Sequence, residues 1–263
     1  MNYIKSRFVR VLAGMSLCVL AATSFQTAEA QNPMLPVPTA LPLPTALPLP
    51  PAAEPLTPTA GFVNLVAAEA AGVSPEVLSL ALRAVRCATS TGEIAAPPTL
   101  TLIDYSRPSV DPRLWVFDLA TGELLYKELV AHGRNTGENL SVQFSDQMNS
   151  HQSSLGLFVT GDSYVGTNGY SLRMHGLEPG FNGRAHERAI VMHGAPYVTE
   201  EIAATQGRLG RSWGCPALRE AVARQVIDTV RGGGMVFSYY PDKAWLKASR
   251  FLNGCVPLAT VAG

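Results

Sequence analysis

The stretch GRLGRSWGCPALRE, Gly207 to Glu220, sets one cysteine between a glycine and a proline, at a point where a helix is expected to begin. Three readings of Cys215 compete: a small buried hydrophobe, half of a disulfide, or a nucleophile. A free cysteine is among the most buried residue types, so inert packing is the default. A thiol attacks carbonyls only as thiolate, and its pKa falls beside an imidazole or at a helix N-terminus. Pro216 opens a predicted helix whose Leu218, Val222, Val226 and Val230 share one face, closed by Gly232-Gly233-Gly234. Cys215 is therefore expected at a helix N-terminus. Upstream, the apolar strand Ala189–Met192 ends in His193-Gly194, and 17 residues separate Gly194 from Ser212. Gly214 has no side chain, so the backbone N–H groups of Gly214 and Cys215 can turn toward a developing oxyanion. A backbone carbonyl or Ser212 is left to orient the imidazole.

Working outward, the surrounding chain reads as strand-rich. Leu100–Tyr105 and Leu114–Asp118 are predicted strands, and Ala120-Thr121-Gly122-Glu123 is a turn that sends Glu123–Ala131 back as a hairpin partner. Ser154–Thr160, Ser171–Met174, Ala189–Met192 and Met235–Tyr240 are further strands, joined by loops at Val165–Gly169 and Glu178–Gly183. Ahead of them, Ser74-Pro75-Glu76 is a helix start, with a hydroxyl cap, proline in the first turn and an acid where the dipole favours it. Val77–Ala88 follows as an amphipathic helix with Leu78, Leu82 and Val85 at helical spacing. A short docking helix is expected around Trp245 and Leu246.

The first thirty residues read as a secretory signal: Lys5, Arg7 and Arg10, then the short apolar run Val11–Ala22, then Ala28-Glu29-Ala30 before a cut at Gln31. That run is too short for a membrane span of about 20 residues, and Leu17 before Cys18 is a poor match to a lipid-anchor signal. An exported, periplasmic or cell-envelope protein is expected, with no stable membrane insertion after cleavage. Pro33–Thr59 holds half of the chain's 20 prolines and a tandem Thr-Ala-Leu-Pro-Leu-Pro repeat from Thr39 to Pro50, the composition of a polyproline II spacer. The expected organisation is a signal at 1–30, a spacer at 31–60, a helical lead-in at 61–96, a catalytic domain at 97–241 and a tail at 242–263. Loss of the signal removes three of 20 basic and one of 20 acidic residues, leaving 17 against 19, and no basic tract remains to neutralise phosphates. Nucleic acid is thereby excluded as an expected partner. Export leaves Cys87, Cys215 and Cys255, an odd number in an oxidising compartment, so one thiol is unpaired or pairs elsewhere. A Cys87–Cys255 bridge would tie the two ends of the domain together; bridges through Cys215 are the alternatives.

His193-Gly194 followed by Ser212-Trp213-Gly214-Cys215 resembles the active-site signature of the L,D-transpeptidases of bacterial cell walls, the YkuD-type catalytic domain. The resemblance runs from about Leu100 to Pro241 and takes in Ile103-Asp104-Tyr105-Ser106, the Leu114–Ala131 hairpin and Gly133-Arg134-Asn135-Thr136-Gly137. Trp213 stands where the signature has histidine, and Pro216-Ala217 replaces an apolar residue and Arg or Asn. The chain is thus similar to a divergent branch carrying Ser-Trp-Gly-Cys-Pro. The resemblance implies an α+β, mainly β fold: a β-sandwich-like catalytic domain with a helical lead-in and a helix after the cysteine. It implies Cys215 as nucleophile and His193 as base, with Ser212 and Gly214 completing the catalytic set. Arg211, Trp213, Tyr197, Gly194 and Arg208 are the expected substrate-binding residues. Arg219 and Arg173 are further candidates for a substrate carboxylate, which guanidinium suits.

The implied activity is peptidoglycan crosslinking through a Cys thioester. The donor is an L-centre preceding a D-residue, either third-residue diaminopimelate or first-residue L-Ala, and the acceptor is the side-chain amine of diaminopimelate. The partners are peptidoglycan stem peptides, and no cofactor or metal is expected. The alternatives are an L,D-carboxypeptidase or endopeptidase that hydrolyses the same thioester, and an inactive wall-binding module. His132-Gly133 and His175-Gly176 lie too far from Cys215 to fit the signature, although His132 is a candidate for lining the cleft. Trp213 is expected as a cleft wall, while Tyr164, Tyr170 and Tyr197 read equally as core or cleft.

Overall fold

The computed structural model describes residues 63–255; the expected signal segment, Cys18, the proline-rich spacer and the last residues of the tail lie outside them. Two helices lead in, α1 (Leu65–Ala70) and α2 (Pro75–Ser90). Ser74 caps α2 by accepting from the Val77 N–H at 3.3 Å, with Pro75 at the first position and Glu76 in the first turn. Its Val77, Leu78, Ala81, Ala84, Val85 and Ala88 are buried, one stripe at helical spacing.

Nine strands form one sheet in the order β3-β2-β1-β9-β5-β6-β7-β8-β4. In chain order they are β1 (Thr99–Asp104), β2 (Leu114–Asp118), β3 (Leu124–Glu128), β4 (Val130–Ala131), β5 (Gly156–Gly166), β6 (Gly169–Gly176), β7 (Val191–Ala195), β8 (Ala217–Arg219) and β9 (Met235–Tyr239). Between them run α3 (Glu200–Gln206), α4 (Glu220–Val230), α5 (Lys243–Ala248) and α6 (Arg250–Asn253). Only Leu129 separates β3 from β4, yet these strands end the sheet on opposite sides. The two edges are therefore brought within a residue of one another, and the sheet curls round.

Strand periodicity distributes the core. Leu100, Leu102, Trp115, Phe117, Leu157, Met235 and Phe237 pack with α2 and with Trp245 and Phe251. Their sequence neighbours Ile103, Leu114, Val116, Phe158 and Val236 join the opposite cluster with Ala223, Val226, Ile227 and Val230 of α4. The amphipathic helix α4 thus lies against one sheet face and the α2, α5 and α6 group against the other. Asp242 caps α5 through the Trp245 N–H at 2.7 Å, and the fully buried indole donates to Glu178 Oε2 at 3.1 Å. Cys255, just after α6, is bridged to Cys87 of α2 with Cα atoms 5.5 Å apart, which is the pairing that ties the ends together.

The architecture is the expected α+β, mainly β class, and three local expectations are corrected. The return strand expected over Glu123–Ala131 is split: β3 pairs with β2, while β4 crosses to pair with β8. The Val165–Gly169 segment is largely strand, because Gly166 pairs with Gly169 and only Thr167-Asn168 forms the tip. Most consequential, no helix begins at Pro216. Ala217–Arg219 is a strand held on both sides, parallel to β7 and antiparallel to β4, and α4 starts only at Glu220. Proline's fixed φ and missing N–H suit a strand entry as well as a helix entry, and hydrogen bonds to two neighbouring strands decide between them.

Candidate active site

The sheet sets the two principal residues side by side. His193 pairs with Ala217 across the parallel β7–β8 ladder, which puts Cys215 two positions before the partner of His193 on the neighbouring strand. The His193 N–H donates to the Pro216 carbonyl at 3.4 Å, one residue beyond Cys215. Gly194 follows on the opposite face, where a Cβ would come within 2.9 Å of the Ala223 Cβ on α4. Its small size lets α4 close down on β7.

The imidazole is oriented by backbone. His193 Nδ1 lies 2.9 Å from the Gly194 carbonyl oxygen. A carbonyl only accepts, so Nδ1 carries the hydrogen and Nε2 keeps its lone pair. Burial lowers the His193 pKa, with the Gly194 carbonyl opposing, so the ring is neutral near pH 7. The expected alternative orienter, Ser212, is engaged elsewhere: its hydroxyl donates to the Cys215 carbonyl at 2.6 Å and accepts the Gly214 N–H at 3.1 Å. That last bond also occupies one of the two N–H groups expected for an oxyanion. Gly214 itself has φ +122°, a backbone conformation suited to glycine.

Cys215 is free and only 7 % exposed. Burial raises its pKa, against the Val191 N–H at 3.5 Å and the positive charge of Arg188. With β8 rather than a helix next in the chain, the helix N-terminus expected at Pro216 is not there, and α4 begins five residues after Cys215. The expectation of a resting thiolate at a helix mouth is corrected: the resting sulfur is a thiol, with Sγ 3.7 Å from the Ala189 carbonyl oxygen. Ala189 presents that carbonyl from a left-handed φ of +53°. A neutral thiol and a neutral imidazole with its Nε2 lone pair free, carried near each other by β7 and β8, have the protonation states a nucleophile and a general base start from.

Trp213 is 69 % exposed beside this pair, stacked on His151 at 4.9 Å and with the Arg134 guanidinium 5.9 Å from its ring centre. Tyr197 is half-buried and packs on Gly210; its pKa is pushed up to about 12, first by burial and then by the Cys215 charge. Arg208 and Arg211, the expected carboxylate binders, both hold Glu138: Arg208 Nε lies 3.0 Å from Oε2, and Arg211 Nη1 also donates to the Gly137 carbonyl at 3.1 Å. Glu138 lines an open cleft of 770 Å³ that also takes in Arg134 and Gln152, residues that flank the Trp213-Gly214 turn. Arg219 makes a two-point pair with Glu128 at 2.9 Å, which fastens β8 to the end of β3. Arg173 stacks over Tyr164 at 4.4 Å on the β5–β6 hairpin.

A family model described as the L,D-transpeptidase catalytic domain matches residues 69–239. The chain belongs to the L,D-transpeptidase catalytic-domain family. Solved structures similar to this L,D-transpeptidase-family chain include three at low identity. An L,D-transpeptidase from Mycobacterium smegmatis is 14% identical with a TM-score of 0.35, covering 54% of this chain and 59% of that one. The helical cell shape determining protein Pgp2 from Campylobacter jejuni is 13% identical with a TM-score of 0.38, covering 61% and 57%. An L,D-transpeptidase from Stackebrandtia nassauensis is 14% identical with a TM-score of 0.34, covering 66% and 74%. The match spans less than two thirds of the first two of these chains. A search of curated proteins returns no relative.

Sequence reasoning missed the groups that hold this family member's Cys215 turn. His132, expected as a cleft-lining residue, is 1 % exposed and part of the frame. Its Nδ1 accepts from Arg113 Nη2 at 2.7 Å, so its hydrogen sits on Nε2, the reverse of His193. Its carbonyl accepts the Ser212 N–H at 2.9 Å. Ser153 donates to the Gly214 carbonyl and accepts the Gly133 N–H, both at 3.0 Å. Arg188 is a third: it sits in a polar run, Asn182–Arg188, where nothing separates it from the exposed Arg184.

Proposed function

We propose that the protein is a peptidoglycan L,D-transpeptidase that works through Cys215. Membership of the family supplies the reaction class. The observation that supports assigning the base to this residue is the His193 tautomer: with Nδ1–H held on Gly194, the ring keeps its Nε2 lone pair available to take a proton.

In the proposed cycle the Cys215 proton passes to His193 Nε2 as Sγ attacks the carbonyl of an L-centre followed by a D-residue. The oxyanion is met by the Cys215 N–H, since the Gly214 N–H is bound to Ser212. The C–N bond breaks, the imidazolium gives its proton to the departing D-residue amine, and a thioester remains. The side-chain amine of diaminopimelate on a second stem peptide attacks that thioester, loses a proton to His193 and restores the thiol. Burial around Sγ limits water there, which supports amine transfer over hydrolysis. Arg208 and Arg211 receive a substrate carboxylate once Glu138 swings away. Trp213 and Tyr197 wall the approach, and Gly194 orients the base. The donor is diaminopimelate at the third position or L-Ala at the first. Such an enzyme serves cell-wall biogenesis and cell shape from the cell envelope, with residues 1–30 as its export signal and 31–60 as its spacer ahead of the catalytic part at 97–241.

The test is incubation with disaccharide-tetrapeptide, with products resolved by mass spectrometry. Dimers that have lost D-Ala identify the third-position donor, and loss of the peptide beyond L-Ala identifies the first. Cleavage to monomers alone replaces this reading with the hydrolase, and no product at all replaces it with the wall-binding module. Full activity in Cys215→Ala overturns the mechanism.

A further inference from the structure

Arg188 lies just before β7, and its side chain is 3 % exposed. All four of its terminal N–H groups are committed. Nη1 donates to the Ser145 carbonyl at 2.7 Å and the Ser154 hydroxyl at 2.5 Å; Nη2 donates to the Ser150 hydroxyl at 3.1 Å and the Gln152 carbonyl at 2.6 Å. These acceptors are neutral. Asp146 is the one carboxylate near it, at 3.9 Å, and it is turned to the Arg184 N–H, which both of its oxygens accept at 3.1 Å. The guanidinium is thus fixed in place with its charge only partly countered.

Where that charge sits matters. Arg188 Nη2 is 3.4 Å from the point a Cβ on Gly214 would occupy, so the fork lies against the turn that delivers Cys215. Charges around the sulfur come from every packed element: His193 on β7, Tyr105 at the end of β1, Tyr197 after β7, and Arg188. Burial holds Tyr105 and Tyr197 neutral, both pushed up to about 12, and His193 is neutral at rest. Among these groups Arg188 is the sole standing charge, and the interaction is mutual: Cys215 raises the Arg188 pKa as Arg188 lowers that of the thiol. A buried positive charge that is only partly countered acts strongly because little water screens it.

We propose that Arg188 is a positioning residue of the reaction, a permanent counter-charge that stabilises the Cys215 thiolate in place of a helix N-terminus. When the thiol proton moves to His193 Nε2, the site gains a negative sulfur and a positive ring, with no change in total charge. Arg188 favours the sulfur's side of that exchange. The inference rests on Cys215 being the nucleophile, so its test reads the thiol directly.

The experiment follows iodoacetamide alkylation of the Cys215 peptide by mass spectrometry across pH, in the full chain and in Arg188→Gln, Arg188→Lys and Asp146→Asn. The midpoint of the profile reports thiolate formation independently of access. In Arg188→Gln the midpoint rises, and alkylation at neutral pH slows about tenfold for each unit of rise. Arg188→Lys recovers part of the loss by keeping the charge. Asp146→Asn moves the midpoint the other way, because it removes the partial counter-ion. If Arg188 only anchors the Ser145–Ser154 segment, Arg188→Gln and Asp146→Asn shift the profile in the same direction or leave its midpoint alone, and either result overturns the proposal. Should Arg188→Gln fail to fold, the direction of the Asp146→Asn shift decides. An inert Cys215→Ala together with an unmoved Arg188→Gln midpoint leaves the transpeptidase reading intact and removes this one.

Discussion

Adding one methyl group at Gly214 tests how tightly the Cys215 turn is built. A Cβ there would stand 2.7 Å from the Gln152 carbonyl oxygen, 3.0 Å from Ile190 Cδ1 and 3.4 Å from Arg188 Nη2. The first of these atoms is backbone and cannot swing aside. The φ of +122° adds strain for any L-residue, about 1–3 kcal/mol for a sparsely populated conformation. Overpacking a fitted site costs about 1–3 kcal/mol more. Gly214→Ala is therefore expected to lose about 2–6 kcal/mol, which for a domain of this size lowers the Tm by about 5–20 °C. Gly207→Ala separates the two contributions: its φ is +66° but nothing lies within 4 Å of the new methyl, so it carries backbone strain alone, about 1 kcal/mol. Thermal unfolding by circular dichroism reads both variants, and Cys215 alkylation reports whether the turn has moved. A Gly214→Ala protein that melts with the parent, or that loses no more than Gly207→Ala, refutes the close approach of the Gln152 carbonyl.

Reducing the Cys87–Cys255 bridge, which spans 168 residues of sequence, is expected to destabilise the fold by up to about 5 kcal/mol on the loop-entropy relation; urea melts with and without reductant, or of Cys255→Ser, measure it. Ser212→Ala strands the buried Gly214 N–H and is expected to cost about 1–3 kcal/mol, read by the same melts, while Ser212→Thr keeps the hydroxyl and most of the stability. Acid weakens the fold through His132, whose pKa falls from 6.5 to about 4, with burial first and the Arg113 charge second among the causes. The unfolded chain then binds more protons, so this contribution is complete above about pH 6.5 and falls away toward pH 4, up to about 3 kcal/mol; urea midpoints across that window follow it, and His132→Asn flattens the slope. Glu138→Gln frees Arg208 and Arg211 and is expected to lower KM for a carboxylate-bearing donor with kcat little changed; a raised KM assigns Glu138 to substrate binding instead.

Sequence pattern carried most of the strands and the lead-in helix, because each rests on local periodicity, and it picked out Cys215 and His193 as candidates through a motif. Ser74-Pro75-Glu76 starts a helix in the structure as its chemistry demands. The expectations that failed share one cause. Pro216 reads equally as helix entry and strand entry, and β7 and β4 settle it from more than twenty residues and more than eighty residues away in sequence. Likewise no local signal marks Leu129 as the point where the chain leaves one sheet edge for the other. His132 and Arg188 were invisible for a related reason: their importance lies in what surrounds them, Arg113 and Ser212 for the one, Gly214 and the Ser145–Ser154 backbone for the other. A helix dipole for Cys215 was inferred from a neighbour in sequence, whereas the charge that reaches it comes from across the fold.

The last strand of the domain does not extend an edge; Met235–Tyr239 is inserted between Thr99–Asp104 and Gly156–Gly166. A chain cut before Met235 is left with two separate ribbons, each showing an unpaired rim where the wedge belongs. Each ribbon lacks its partner until Met235–Tyr239 has been made, so the nine-stranded sheet forms only once that strand is in place.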